Sequence, residues 1–216
     1  MNIAWILLYT LVTHGLEIVI FFKVDGIGLT FERIFKAFLL KFLLGAIFAT
    51  FQFLDVSEYL SYFIEPLFGI CLSFLLLRGL PKKLLFFYGL FPIVLMDLFY
   101  RSVSYFVFPF LGQGIVDGDG NPLFLLIMLF VCFIVLVFLK WLDYDFTRLR
   151  KEFLDKGFQQ SLTKINWIMG AYFLVMENLS YFEYAYDIQS KTVRHLILVF
   201  YLLFFMGIVK KLDTYL

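Results

Sequence analysis

The stretch 87-FYGLFPIVLMDLFYRSVSYF-106 decides the fold, because it is long and apolar enough to lie in lipid yet carries Asp97 and Arg101 four residues apart. About 20 predominantly apolar residues cross a hydrocarbon core of about 30 Å as a helix. On a helix, positions i and i+4 share a face, so the aspartate and the arginine neutralise each other along one side. A segment of this kind inserts in spite of its charges.

Six further stretches read the same way: Ile3–Phe22, Ile34–Leu54, Tyr59–Leu77, Leu123–Leu142, Trp167–Tyr184 and Thr192–Val209, with Leu84–Phe106 as the fourth of seven. The composition agrees, with 62% hydrophobic residues, 31 phenylalanines and 16% charged residues in 216. Ordinary soluble domains are about 45–50% apolar and about 25% charged. Strict alternation with short turns is missing, which excludes an outer-membrane barrel. The expected fold is therefore all-α, a polytopic transmembrane bundle of about seven spans forming one domain over residues 1–216. The N-terminal run lacks a basic leader and reads as a first span rather than a cleaved signal.

Lysine and arginine orient the bundle, because cytoplasmic loops carry their excess. Lys23, Arg33, Lys36, Arg78, Lys82, Lys83, Lys140, Arg148, Arg150, Lys151, Lys156, Lys164, Lys210 and Lys211 fall on one face, against Lys191 and Arg194 on the other. The expectation is an N-terminus outside and a C-terminus inside a cell membrane. The opposite, outer face then carries Asp55, Glu58, Asp117, Asp119, Glu183 and Asp187, a net acidic surface that would attract a cationic ligand. A net charge of +1 argues against nucleic acid as a partner. The inner segment 143–166 has Phe146, Leu149, Phe153 and Leu154 at helical spacing and reads as a short amphipathic helix in a cytoplasmic loop.

Charged groups inside the membrane each need a partner or a wet cavity. The candidates are His14, Glu17, Lys41, Glu65, Asp97, Arg101 and Glu177. A rise of 1.5 Å per residue puts Glu65 about 9 Å and Asp97 about 10 Å below the outer boundary, a shared depth at which Arg101 serves one or both acids. The same arithmetic puts Glu17 and Lys41 about 8 and 10 Å from the inner boundary, as a structural ion pair, with His14 one turn from Glu17. Pro66 and Pro92, beside Glu65 and Asp97, suggest kinks and a polar opening between them. The tyrosines near the outer helix ends read as an interfacial belt.

Bond chemistry has no support. No HExxH, GxSxG or glycine-rich phosphate loop occurs. Cys71 and Cys132 lie within apolar runs, so neither a disulfide framework nor a metal site is expected, and no cofactor is implied.

The motifs Glu65-Pro66-Leu67, Leu72-Ser73 and Arg78, followed by Phe87-Tyr88-Gly89-Leu90, Pro92, Asp97-Leu98-Phe99 and Arg101, carry a resemblance. They look like the membrane sensor domain of streptococcal peptide-pheromone receptor histidine kinases of the competence (ComD) and bacteriocin (BlpH) types, more distantly of AgrC. The bacteriocin type is the nearer likeness. Weaker similarity runs through Arg148-Leu149, Ser161-Leu162-Thr163-Lys164 and the last span. The resemblance implies a receptor for a secreted, usually cationic linear peptide, homodimeric when complete, that signals to a response regulator through a cytoplasmic kinase. In that family a phospho-accepting helix and an ATP-binding domain follow the last span; this chain stops at Leu216, so the chain itself is expected to be non-enzymatic. The competing reading is a small transporter or channel-like protein that uses Glu65, Asp97 and Arg101 as an ion pathway.

Overall fold

The computed structural model describes residues 3–53, 63–111, 122–143, 145–186 and 191–214. Among the described residues the regular structure is all helical, with no strand: α1 (Ile3–Asp25), α2 (Phe31–Phe53), α3 (Ile64–Leu76), α4 (Lys82–Leu111), α5 (Pro122–Leu142), the short α6 (Leu149–Glu152), α7 (Lys156–Tyr186) and α8 (Lys191–Asp213). Among those residues one stretch, Lys82–Val103, is long and apolar enough to cross a membrane, or two if the bent pair Leu126–Leu142 and Phe146–Glu152 is one broken span.

Helix α4, which contains the 87–106 stretch, is the axis of the bundle and packs against α1, α3, α5, α7 and α8. Its residues Leu84, Phe87, Tyr88 and Leu95 are wholly buried, because partners cover it from several sides. The peripheral helices instead turn apolar faces outward. Leu126, Phe130, Phe133 and Val137 on α5 are more than half or nearly half exposed at helical spacing, as are Leu39, Phe42, Leu43 and Ile47 on α2 and Leu196, Val199, Phe200 and Leu203 on α8.

Helices α3 and α4 cross at close range. A Cβ on Gly69 would lie 2.2 Å from the Gly89 carbonyl oxygen, and one on Gly89 would lie 2.7 Å from the Ile70 Cα. Only glycine at both positions lets the two backbones approach this far, the small-residue packing that joins membrane helices. Ser73 completes the seam by donating its hydroxyl across to the Leu85 carbonyl at 2.7 Å.

Local signals set the helix ends. Helix α1 stops at Gly26, whose φ of +61° places it in the left-handed region, and the Ile27 N–H returns to the Phe22 carbonyl at 2.9 Å. This is a Schellman closure, which favours glycine. Helix α7 starts where Asp155 accepts from the N–H groups of Gly157 and Phe158, an N-cap.

Two expectations are corrected here. The 143–166 segment is not one amphipathic helix. It folds as a 3-10 turn over Phe146–Arg148, the four-residue α6 and the first turns of α7, which begins at Lys156 rather than at Trp167. Phe146 and Leu149 are buried in the core while Leu154 is exposed, because Phe146 stacks 5.2 Å from Phe91 and its carbonyl accepts the Tyr88 hydroxyl at 2.6 Å. Nor does either proline interrupt its helix. Pro66 lies in the first turn of α3, where no intrahelical N–H bond is lost, and α4 runs unbroken through Pro92.

The crossing yields a stability test. Gly69→Ala should lower the unfolding free energy by about 2 kcal/mol, because neither backbone can yield without opening the seam. Gly45→Ala, at a site where a Cβ meets nothing within 4 Å, should be neutral or slightly stabilising. Thermal unfolding of the two variants in the same detergent distinguishes the seam from a general effect of filling glycines.

Candidate functional site

Asp97 and Arg101 form the pair that their spacing predicts. The Arg101 Nε lies 2.9 Å from both Asp97 carboxylate oxygens. The pair is mostly buried, with 20% and 17% of the two side chains exposed. It also reaches beyond its own helix. Tyr172 of α7 donates its hydroxyl to Asp97 Oδ2 at 2.8 Å, the Arg101 guanidinium lies 5.9 Å from the centre of the Tyr201 ring of α8, and the two tyrosine rings meet edge to face at 5.0 Å. One carboxylate thus ties α4 to α7, and one guanidinium ties α4 to α8. Sequence reasoning missed Tyr172 and Tyr201. For Tyr172 the available signal was its place in an apolar run, where a buried tyrosine hydroxyl requires a polar partner; Tyr201 joins through the face of its ring, which its sequence position does not signal.

Glu65 is not part of this group, which corrects the expectation of one arginine among two acids. Its carboxylate is held by Lys41, whose Nζ donates to Oε1 at 2.5 Å and also to Oε2. The same Nζ donates to Glu17 Oε2 at 3.1 Å, and His14 Nδ1 bonds that oxygen at 3.1 Å. Glu17 and Lys41 are therefore paired as expected, and the cation between two acids is Lys41. Its ammonium also lies 4.6 Å from the centre of the Phe68 ring, one turn along α3 from Glu65. The depth estimate failed because it assumed straight spans with fixed ends. Glu65 begins α3, α3 packs on α2, and a lysine stem bridges the remaining height.

Of the acids expected on the outer face, Asp117, Asp119 and Asp187 lie outside the described residues, as do Asp55 and Glu58. Glu183 falls within helix α7, and its side chain, like that of Glu177, is outside the described set.

A third polar group lies at the C-terminal end of α1, three residues past the first expected span. Asp25 is fully buried, and among the described residues neither of its carboxylate oxygens accepts a hydrogen bond. Arg150 donates to the Asp25 backbone carbonyl and stacks 5.3 Å over the Tyr88 ring. Burial pushes the Asp25 carboxyl well above the usual carboxylate range, with the Arg150 charge acting the other way. Beside it a groove of about 580 Å³ is lined by Lys23, Gly26, Asp143, Asp145 and Thr147 among others.

These contacts have measurable consequences. Asp97→Ala removes the carboxylate that the Arg101 charge faces and should destabilise by about 3 kcal/mol, whereas Tyr172→Phe removes one hydrogen bond to a charged acceptor and should lose about 1.5 kcal/mol. For Asp25, the raised folded pKa means that the folded chain binds the proton more tightly than the unfolded one. Its contribution to stability is complete below the ordinary carboxylate range and declines as pH rises toward the folded value. Asp25→Asn should therefore raise the melting temperature at neutral pH and flatten its decline from acid to neutral pH. An unchanged pH profile in that variant would show that Asp25 is ionised in the fold.

Comparison with known proteins found no match: no family model, no curated protein and no solved structure corresponds to this chain.

Proposed function

We propose that this chain is a multi-pass membrane sensor for an extracellular cationic peptide, with about seven spans, the N-terminus outside and the C-terminus inside a bacterial cell membrane. Lipid is the medium that suits its outer surface. Soluble monomers rarely leave large contiguous apolar patches in water, and here α2, α5 and α8 each present one. Helices α1, α2, α4, α5, α7 and α8 have 21 to 31 residues, long enough to span.

The observation that carries the sensor reading is the Asp97–Arg101–Tyr172–Tyr201 network. It joins the central helix to the last one, so a ligand that alters packing in α4 acts directly on α8 and on Lys210 and Lys211 at its inner end. A ligand shifts such an arrangement only by binding two packing states with different affinity. The resemblance in the α3 and α4 motifs supplies the ligand class, and the acidic outer loops fit a cationic peptide. On this reading signalling passes to a kinase and then a response regulator, and the chain itself neither binds ATP nor transfers phosphate. Glu65, which the competing transporter reading needs beside Asp97, is instead bound to Lys41.

A library of synthetic linear cationic peptides bearing a photo-crosslinker tests this on the chain in nanodiscs. Saturable labelling is expected from the outer side, weakened by salt and reduced about ten-fold in affinity by Asp97→Asn. Absence of saturable labelling across the library, together with substrate- or proton-driven flux in proteoliposomes, would overturn the sensor in favour of a transporter.

A further inference from the structure

The two ionic groups differ in charge balance. Asp97 and Arg101 sum to zero. Glu17, Glu65 and Lys41 do not: two carboxylates surround one ammonium, and His14 adds nothing when neutral. No other described cation comes near enough to correct the deficit. On α2, Lys36 is held by Glu32 and Arg33 by the Gly28 carbonyl, both below the cluster. Helix α4 packs on α1 and α3 but turns Asp97 and Arg101 toward α7 and α8. Helix α5 brings only the Cys132 thiol near Glu17.

We propose that Glu17, Lys41 and Glu65 form a proton-binding site in which one proton, beyond those on Lys41, is shared between the two carboxyl groups. Low-dielectric surroundings favour this, because a second negative charge beside the first is relieved by taking up a proton. A metal cation is a poorer occupant. Lys41 already fills the space between the acids, and of the four carboxylate oxygens three are engaged by Lys41 or His14. Ions such as calcium require about six oxygen ligands. Glu65, with 44% of its side chain exposed, is the most open member and is the point where the proton enters and leaves. Because the three residues come from α1, α2 and α3, loss of that proton loads repulsion onto the contacts among those helices. The site stands on charge and geometry, independent of which ligand the outer face takes.

Infrared titration in nanodiscs, without peptide, reads the site directly once it is run in an Asp25→Asn background, which removes the other carboxyl that burial keeps protonated. In that background the wild-type site, with Glu17 and Glu65 intact, is expected to show a protonated-carboxyl stretch that disappears on going to alkaline pH, with uptake of about one proton per chain on the return. Glu65→Gln and Glu17→Gln each leave one acid for one lysine and should both lose the stretch and that proton. The two variants back each other up: either one that folds, by circular dichroism and gel filtration, gives the result. Equal uptake in wild type and both variants overturns the proposal. So does uptake without a carboxyl stretch that is lost in His14→Gln, which would move the proton to the imidazole, and so does a signal that tracks sodium or potassium at fixed pH.

Discussion

A bundle whose helices are this apolar can keep an ionised side chain inside only if an opposite charge or a hydrogen-bond donor meets it from the same or a neighbouring helix. That constraint fixes which helices are neighbours. Lys41 on α2 needs acids, and the acids lie on α1 and α3, so those three helices are brought together at one point. Asp97 on α4 is satisfied partly within its own helix by Arg101, and its remaining capacity is filled by Tyr172 of α7. Apolar contacts have no comparable directionality.

Between the two groups stands the α3–α4 seam. Gly69 and Gly89 bring the backbones close enough for Ser73 to reach the Leu85 carbonyl, so the helix carrying Glu65 is fixed to the helix carrying Asp97 without any contact between the two acids. The shared depth inferred from residue counting suggested a link through Arg101. The actual connection is mechanical, through backbone packing, and it couples the groups only as far as the seam is rigid.

The parts legible in the sequence were those encoded within one helix or by a forced pairing. The helical period, the Asp97–Arg101 and His14–Glu17 spacings and the need of Lys41 for Glu17 were all readable, because i to i+3 and i to i+4 geometry is fixed by the helix itself. The partner of Glu65 was not readable, because it depends on the tilt and vertical offset between separate helices. The burial of Phe146 and Leu149 was hidden for a related reason. Their spacing is amphipathic, but whether an apolar face meets lipid or protein depends on whether Tyr88 and Phe91 lie beneath it, and that is a property of tertiary packing.

The joint at the end of α1 follows from the same logic with a different outcome. Gly26 closes α1 so tightly that a Cβ there would lie 2.2 Å from the Thr147 methyl, and this brings the end of α1 against the turn that enters α6. Asp25 is carried inside by that closure and Arg150 follows it, donating to the backbone carbonyl rather than to the carboxylate. A helix end, a buried turn and a cation over Tyr88 therefore form one unit that connects α1 to α4 and to the start of α7. Because Arg150 holds the backbone carbonyl rather than the carboxylate, the contact that fixes the helix end does not itself depend on the charge of the carboxyl. Charge changes at that level are thus separated from the position of the helix end, whereas in the Lys41 cluster charge and helix position are the same variable.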